Sequence, residues 1–287
     1  MNELFSFVAL NNMPLLGPVK HLQLLNKFGS ASAALEATSG ELFELPGFGP
    51  KVVQSWNVDQ AIRLAENDLE LVDRNHVSII PYTDPRYPNL LKSIPDFPIL
   101  LYVIGDFEPE DHRSIAIIGT RAATDYGNEM AHKFGAGLAQ SGYTIVSGLA
   151  RGIDSSAHKG ALQSGRTIAV LGSGLNHLYP PENCDLARQI AQNGALISEF
   201  PMNTRPNRYR FPKRNRIVSG LSEAIVLIEA PLKSGAVLTM KQGLKQGREL
   251  FALPGRNDIH SLQGNYDLIK NQQVRLVTNP ADIAPRH

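Results

Sequence analysis

One cysteine, one tryptophan and a net charge of only +1 are spread over 287 residues, and each scarcity removes a class of protein. With Cys184 alone, no disulfide forms within the chain and no cysteine-rich metal cage can be built. A reducing, cytoplasmic setting is expected. No apolar run approaches the ~20 residues that cross a bilayer. The first ten residues carry Glu3 and no basic side chain, so they do not read as a secretory leader. There is no G-x-x-x-x-G-K-[ST] loop, no H-E-x-x-H helix and no G-x-S-x-G turn. Nucleotide-driven motion and metal hydrolysis are therefore not expected, and neither is a bound cofactor.

The near-zero net charge hides an asymmetry. Residues 1–110 carry 7 Lys/Arg against 14 Asp/Glu, a net of −7. Residues 111–287 carry 21 against 13, a net of +8. A basic half beside an acidic half points to polyanion contact on the former, although two independently solvated surfaces give the same count.

Residues 1–75 predict a small all-helical unit, cut into short apolar-periodic pieces by Pro14, Gly17, Gly29, Ser39-Gly40 and Pro46-Gly47. Its last piece, from about Val58 to Asn75, repeats apolar residues at one-turn spacing. Residues 76–112 form a proline-rich connector, with one strand over Ile99 to Ile104. From residue 113 strands alternate with helix-length segments: Ser114–Ile118, Thr144–Ser147, Thr167–Leu171, Ala195–Ser198, Ala224–Ile228, Glu249–Leu253 and Arg275–Val277. Most are continuous apolar runs separated by about 12–25 residues, the signature of parallel strands with helices on both faces. The fold class is α/β: a doubly wound, Rossmann-like, mostly parallel sheet over residues 113–287, with the helical unit in front. No third domain is expected after the last strand.

Ligands of such sheets bind beyond the carboxyl ends of the strands, and four post-strand loops are unusual. Gly119-Thr120-Arg121 combines a tight turn with an arginine ahead of a helix start. The run from Ser147 to His158 crowds Ser147, Gly148, Arg151 and Gly152 into one corner, with Asp154 able to cap the next helix; His158 reads as structural rather than catalytic. Gly172-Ser173-Gly174 is a plain G-x-G. Ser234-Gly235 opens a helix with Thr239 on its first turns, a set of amide and hydroxyl donors for one phosphate. Each corner also reads as an ordinary turn or helix start.

The strongest cluster is Arg205-Pro206-Asn207-Arg208-Tyr209-Arg210-Phe211-Pro212-Lys213-Arg214-Asn215-Arg216, six basic residues and two aromatics in twelve positions, read as a loop. Arginine forks hold phosphates, and aromatic rings stack on unpaired bases. That combination suits a single strand better than a duplex groove. The alternative is that Arg214 and Arg216 pair with carboxylates of the sheet.

These stretches together resemble the DprA/Smf family of bacterial DNA-processing proteins. The resemblance also takes in Thr167 to Gly172, Leu178 to Asn183, Ser198-Glu199, Gly247-Arg248-Glu249 with Pro254-Gly255, and Tyr87-Pro88 with Pro98-Ile99-Leu100. It spans roughly residues 80–270. It implies single-strand DNA binding during uptake of transforming DNA, protection of that strand, loading of the RecA recombinase, and a homodimer formed through the α/β domain. By position it assigns Arg121, the corner Ser147, Gly148, Arg151 and Gly152, the stretch Phe211, Lys213, Asn215 and Arg216, and the facing Ser234-Gly235; Gly119, Arg214 and Thr239 join them as candidates. The fit loosens over Gly264 to Gln273, and no counterpart of the winged-helix extension carried by some members is expected. Leu45-Pro46-Gly47-Phe48-Gly49-Pro50-Lys51 resembles the hairpin of a helix-hairpin-helix, so the helical unit is SAM- or helix-hairpin-helix-like.

The rival is a nucleotide phosphoribohydrolase-like enzyme, or a small-nucleotide sensor, using the same cleft. The hydrolases have P-G-G-x-G-T-x-x-E where this chain reads Lys233 to Gln242, and no carboxylate follows Thr239. A binder, not an enzyme, is expected: phosphates held by Arg121, Arg151 and residues 205–216, by amides of Gly148, Gly152 and Gly235, with a base on Phe211. No membrane partner is expected.

Overall fold

The computed structural model describes residues 2–271 and 274–283. Met1, Gln272-Gln273, at the end of the segment where the family resemblance loosens, and residues 284–287 lie outside the described residues. Among the described residues nine strands form one sheet: β1 (Ser78–Pro81), β2 (Leu100–Gly105), β3 (Ser114–Ile118), β4 (Thr144–Ser147), β5 (Thr167–Val170), β6 (Gly194–Ser198), β7 (Ala224–Leu227), β8 (Glu249–Ala252) and β9 (Arg275–Leu276). Their order is β1-β2-β6-β5-β4-β3-β7-β8-β9. From β6 to β9 every pairing is parallel, while β2 joins β6 and β1 joins β2 antiparallel. All five residues of β3 and all four of β4, β5 and β7 are buried, which is why these strands read as unbroken apolar runs.

The helices are α1 (Glu3–Asn11), α2 (Pro18–Phe28), α3 (Ala31–Leu35), α4 (Ser39–Phe43), α5 (Pro50–Gln54), α6 (Val58–Arg74), α7 (Asn89–Lys92), α8 (Asp125–Gln140), α9 (Ile153–Ala161), α10 (Cys184–Gln192), α11 (Arg210–Gly220), α12 (Gly235–Lys245) and α13 (Gln263–Lys270). Sequence sets their ends. Pro18 opens α2 and left-handed Gly29 closes it; Asn57, Thr124 and Ser234 cap α6, α8 and α12 by accepting from backbone amides. Helices α8 and α9 cover one face of the parallel sheet through Phe134, Leu138, Ile153 and Ala157. Residues Ile217, Val218, Val237 and Met240, from α11 and α12, cover the other.

The N-terminal helices share a core with the β2 edge and α10, joining Phe7, Leu24, Leu42 and Ala65 to Tyr102, Leu186 and Ile190. The buried Asp68 fastens this contact: Tyr102 Oη donates to one carboxylate oxygen, and the Met202 amide donates to the other at 2.7 Å. Burial pushes the Asp68 carboxyl up, and those bonds pull it back. None of the described helices is long and apolar enough to cross a membrane.

Three elements differ from the sequence reading. One is α7, a single helical turn between Pro88 and Pro95 of the connector. Strand β1 lies within what reads as an irregular connector; it is an edge strand ending at Pro81, the position where a missing N–H is tolerated. The basic stretch is a loop only in its first half. From Arg210 it is the helix α11, and Pro212 falls in the first turn, where no intrahelical N–H bond is lost.

Candidate nucleic-acid interface

Strand β3 has β4 on one side and β7 on the other, so the chain leaves it at the point where strand order reverses. The loops after β3 and β7 diverge there and leave a crevice. A cavity of about 680 Å³ occupies it. Nine of the predicted residues line this one cavity: Gly119, Arg121, Gly148, Phe211, Arg214, Asn215, Ser234, Gly235 and Thr239. They come from the loops after β3 and β4, from α11 and from the start of α12, and the fold alone brings them together.

At the lip, Arg121 and Phe211 form a stacked pair, with the guanidinium carbon 4.8 Å from the ring centroid. The Tyr179 ring tilts against the same Phe211 ring, centroid to centroid 5.7 Å, and is 39% exposed. Gly172 makes room for Phe211: a Cβ there would stand 2.7 Å from its ring. The G-x-G after β5 is thus a seat for an aromatic ring. Tyr179 carries no assignment in the sequence reading, although it sits in a stretch that contributes to the resemblance; its signal was an aromatic followed by two prolines, Pro180 and Pro181, in a post-strand loop.

Burial separates the cations of the basic stretch into two kinds. Arg216 is 4% exposed. It pairs with Glu199 at 2.6 Å and with Asp96 at 3.3 Å, so its charge is neutralised away from the cleft, a correction to its reading as a strand contact. Arg214 is equally buried but underlies the cavity. It donates to the carbonyls of Gly148, at 2.6 Å, and Val170. Burial lowers its pKa to about 10, which leaves it charged at neutral pH; the Asp154 carboxylate opposes the shift and Arg121 adds to it. Arg214 therefore fixes α11 to the ends of β4 and β5. Arg205, Arg208 and Lys213 are exposed, and Arg208 lines the cavity. Lys213 lies on the outer side of α11, outside the lining.

The corner after β4 is also more structural than expected. Ser147 is fully buried and donates to the Ile117 carbonyl at 2.6 Å, so it does not face the cleft. The Gly148 amide, expected to hold a phosphate, donates instead to Asp154 at 3.2 Å, as does Ala150 at 3.3 Å. No Cβ fits at Gly148, since it would lie 2.3 Å from the Arg214 guanidinium. Gly152 adopts φ +71° against the Thr120 carbonyl, a conformation and a spacing open to glycine only. Arg151 is exposed and bonded to Glu182; it lines a neighbouring recess with Arg121, Tyr179 and Phe211. His158 is fully buried under this corner, its Nδ1 2.6 Å from Thr167 Oγ1.

Opposite, Ser234 accepts from the Val237 amide at 3.2 Å and Thr239 donates to the Gly235 carbonyl at 3.0 Å. The first N–H groups of α12, at Gly235 and Ala236, have no intrahelical partner and line the cavity. Asn215 of α11, its amide 3.5 Å from the Gly235 carbonyl, spans the gap to α12. Glu229 is buried behind the crevice and accepts from the Thr124 amide and hydroxyl at 3.0 and 2.9 Å, holding the loop after β3 against β7. Among the described residues no group of three or more His, Cys, Asp or Glu is placed to hold a metal ion.

A family model described as DNA recombination-mediator protein A matches residues 78–286. Protein Smf of Synechocystis sp. is 40% identical over 261 residues, 89% of this chain; the chain spans 66% of that relative's length. Among solved structures, DNA processing protein A from Streptococcus pneumoniae superposes with a TM-score of 0.81 at 29% identity, over 99% of each chain. DNA processing protein A from Helicobacter pylori, a structure described for its single-stranded DNA binding mode, superposes with a TM-score of 0.65 at 32% identity, over 72% of this chain and 93% of that one.

Proposed function

The chain belongs to the DprA/Smf family, the family of DNA recombination-mediator protein A, and from that membership we propose that it binds single-stranded DNA in the cleft at the switch point of its sheet. The Arg121–Phe211–Tyr179 stack carries this reading. It sets a guanidinium able to hold a phosphate directly beside an aromatic platform, at the mouth of a cavity whose far wall offers the open amides of α12. A nucleotide satisfies both at once, with its phosphate on the guanidinium and the α12 amides and its base against the rings. In a duplex the bases are paired and stacked on one another, and the aromatic half of the site goes unused.

We read the cleft as a binding surface rather than an active site. Asp154 lines it, but its carboxylate is engaged by two backbone amides and the neighbouring Arg214; contrary to the sequence expectation it does not cap α9, whose N-cap Gly152 has no side-chain bond, but ties the loop after β4 to the first turn of that helix. The stretch beyond Thr239, Met240-Lys241-Gln242, offers no general acid. Membership carries the proposal further: the protein works in the cytoplasm on incoming transforming DNA, shields the strand, loads RecA on it, and acts as a homodimer whose two clefts share one strand and gain avidity.

Fluorescence anisotropy with one labelled oligonucleotide, single-stranded and then annealed, tests the central claim. Preference for the single strand that mononucleotides fail to displace is expected. Equal affinity for the duplex, or tight binding of mononucleotides alone, would overturn it. RecA filament formation on the bound strand, with and without the protein, tests the loading step.

A further inference from the structure

The cleft does not end at Arg121. Three hollows follow one another along the rim of the sheet, and Arg121 lines all of them. The first is the main cavity. The second, about 250 Å³, runs over Phe211 and Tyr179 to Arg151. The third, about 400 Å³, opens on the far side of Arg121, bounded by Arg151, Lys159 and Asn128. Its walls are chiefly polar, and among the described residues no aromatic lines it.

We propose that the third hollow is a second phosphate-binding recess, through which the strand continues after leaving the main cleft between Arg121 and Arg151. The proposal rests on the single-strand reading above and extends it to residues outside that cleft. Three cations converge there from different elements: Arg121 from the loop after β3, Arg151 from the loop after β4, and Lys159 from the body of α9. Lys159 is exposed and makes no ion pair among the described residues. The Ser156 hydroxyl donates to Asn128 Oδ1 at 2.8 Å, which leaves the two N–H groups of that amide as donors. Arg151 is tied to Glu182, but both side chains are about half exposed. Such a pair contributes little, and a phosphate oxygen replaces the carboxylate on the same guanidinium edge. With no ring on its walls, the recess suits a sugar–phosphate backbone whose bases point to solvent. The main cleft, by contrast, holds a base.

The test uses the intact protein with oligo-dT of about 4 and about 12 nucleotides, a range that brackets common single-strand site sizes. The readout is the affinity advantage of the longer strand and its salt dependence. Lys159→Ala is expected to shrink that advantage about fivefold at about 0.1 M salt and to lower the salt slope for the longer strand by ~0.7, the share of one phosphate contact. Asn128→Asp, which places a carboxylate in the recess at unchanged size, is expected to shrink it as well. If both variants keep the full length advantage and slope while Phe211→Ala still weakens binding, the recess is refuted and the main cleft stands. If the unaltered protein binds neither strand, the cleft reading falls, and the recess with it.

Discussion

Protonation of His158 is the perturbation whose consequence the structure sets most directly. Its ring is fully buried between α9 and the sheet. Thr167 donates its hydroxyl proton to the Ile145 carbonyl at 2.6 Å, so the contact at 2.6 Å between Thr167 Oγ1 and His158 Nδ1 is donated by the ring. The proton therefore sits on Nδ1, and Nε2 has no partner among the described residues. Charging Nε2 would bury an unpaired N–H close to the Arg214 guanidinium. Burial first, and that guanidinium second, lower the His158 pKa from 6.5 to about 3. His21, likewise buried, is lowered to about 4 by burial and by Arg216, against the pull of its bond to the Leu10 carbonyl.

The direction follows from proton counts. Below 6.5 the unfolded chain takes up protons on these rings and the folded chain does not, so their contribution is complete above 6.5 and is lost as pH falls toward the folded values. From about pH 7 to about pH 5.5 each ring removes about 1.3 kcal/mol, together about 2.5 kcal/mol. Urea denaturation over this range measures the loss. The variant His158→Asn keeps an N–H where Nδ1 stands and cannot titrate, so its loss should be smaller than that of the unaltered protein by one ring's share, about 1.3 kcal/mol. Asp68, Asp154 and Glu223, raised chiefly by burial, act in the opposite sense in both proteins and cancel in the comparison. An equal loss in the two would refute the assignment of a buried neutral ring.

Arg121→Ala should weaken single-strand binding at every sequence and reduce the salt slope by ~0.7; anisotropy titrations at several salt concentrations check this, and an unchanged slope removes Arg121 from the phosphate path. Arg216→Met leaves Glu199 and Asp96 without their shared cation, and should destabilise the fold by about 3–5 kcal/mol in denaturant titrations while the salt slope of the folded protein stays as it was. Gly172→Ala places a Cβ 2.7 Å from Phe211 and should displace the ring without touching the surface, costing about 1–3 kcal/mol of binding; a substitution with no effect on affinity would argue that Phe211 does not carry a base.

Local chemistry determined much of this protein in advance. Apolar runs such as Ser114–Ile118 can be satisfied only by burial on both faces, which fixes a parallel sheet and puts the loops at its carboxyl edge. Gly119, Arg121, Phe211, Asn215 and Ser234-Gly235 could be named because their loops all follow strands of that sheet or face its rim. What composition could not distinguish was the fate of like side chains in one stretch. Arg214 and Arg216 are two residues apart on α11, yet one lies beneath the cleft and the other is locked to Glu199 and Asp96. Charge is written in the sequence, but its availability depends on which carboxylate or carbonyl the fold brings within reach from far along the chain. For the same reason the Gly148 amide was already engaged by Asp154, Tyr179 joined the aromatic stack unannounced, and Lys159 came to stand beside Arg121 and Arg151.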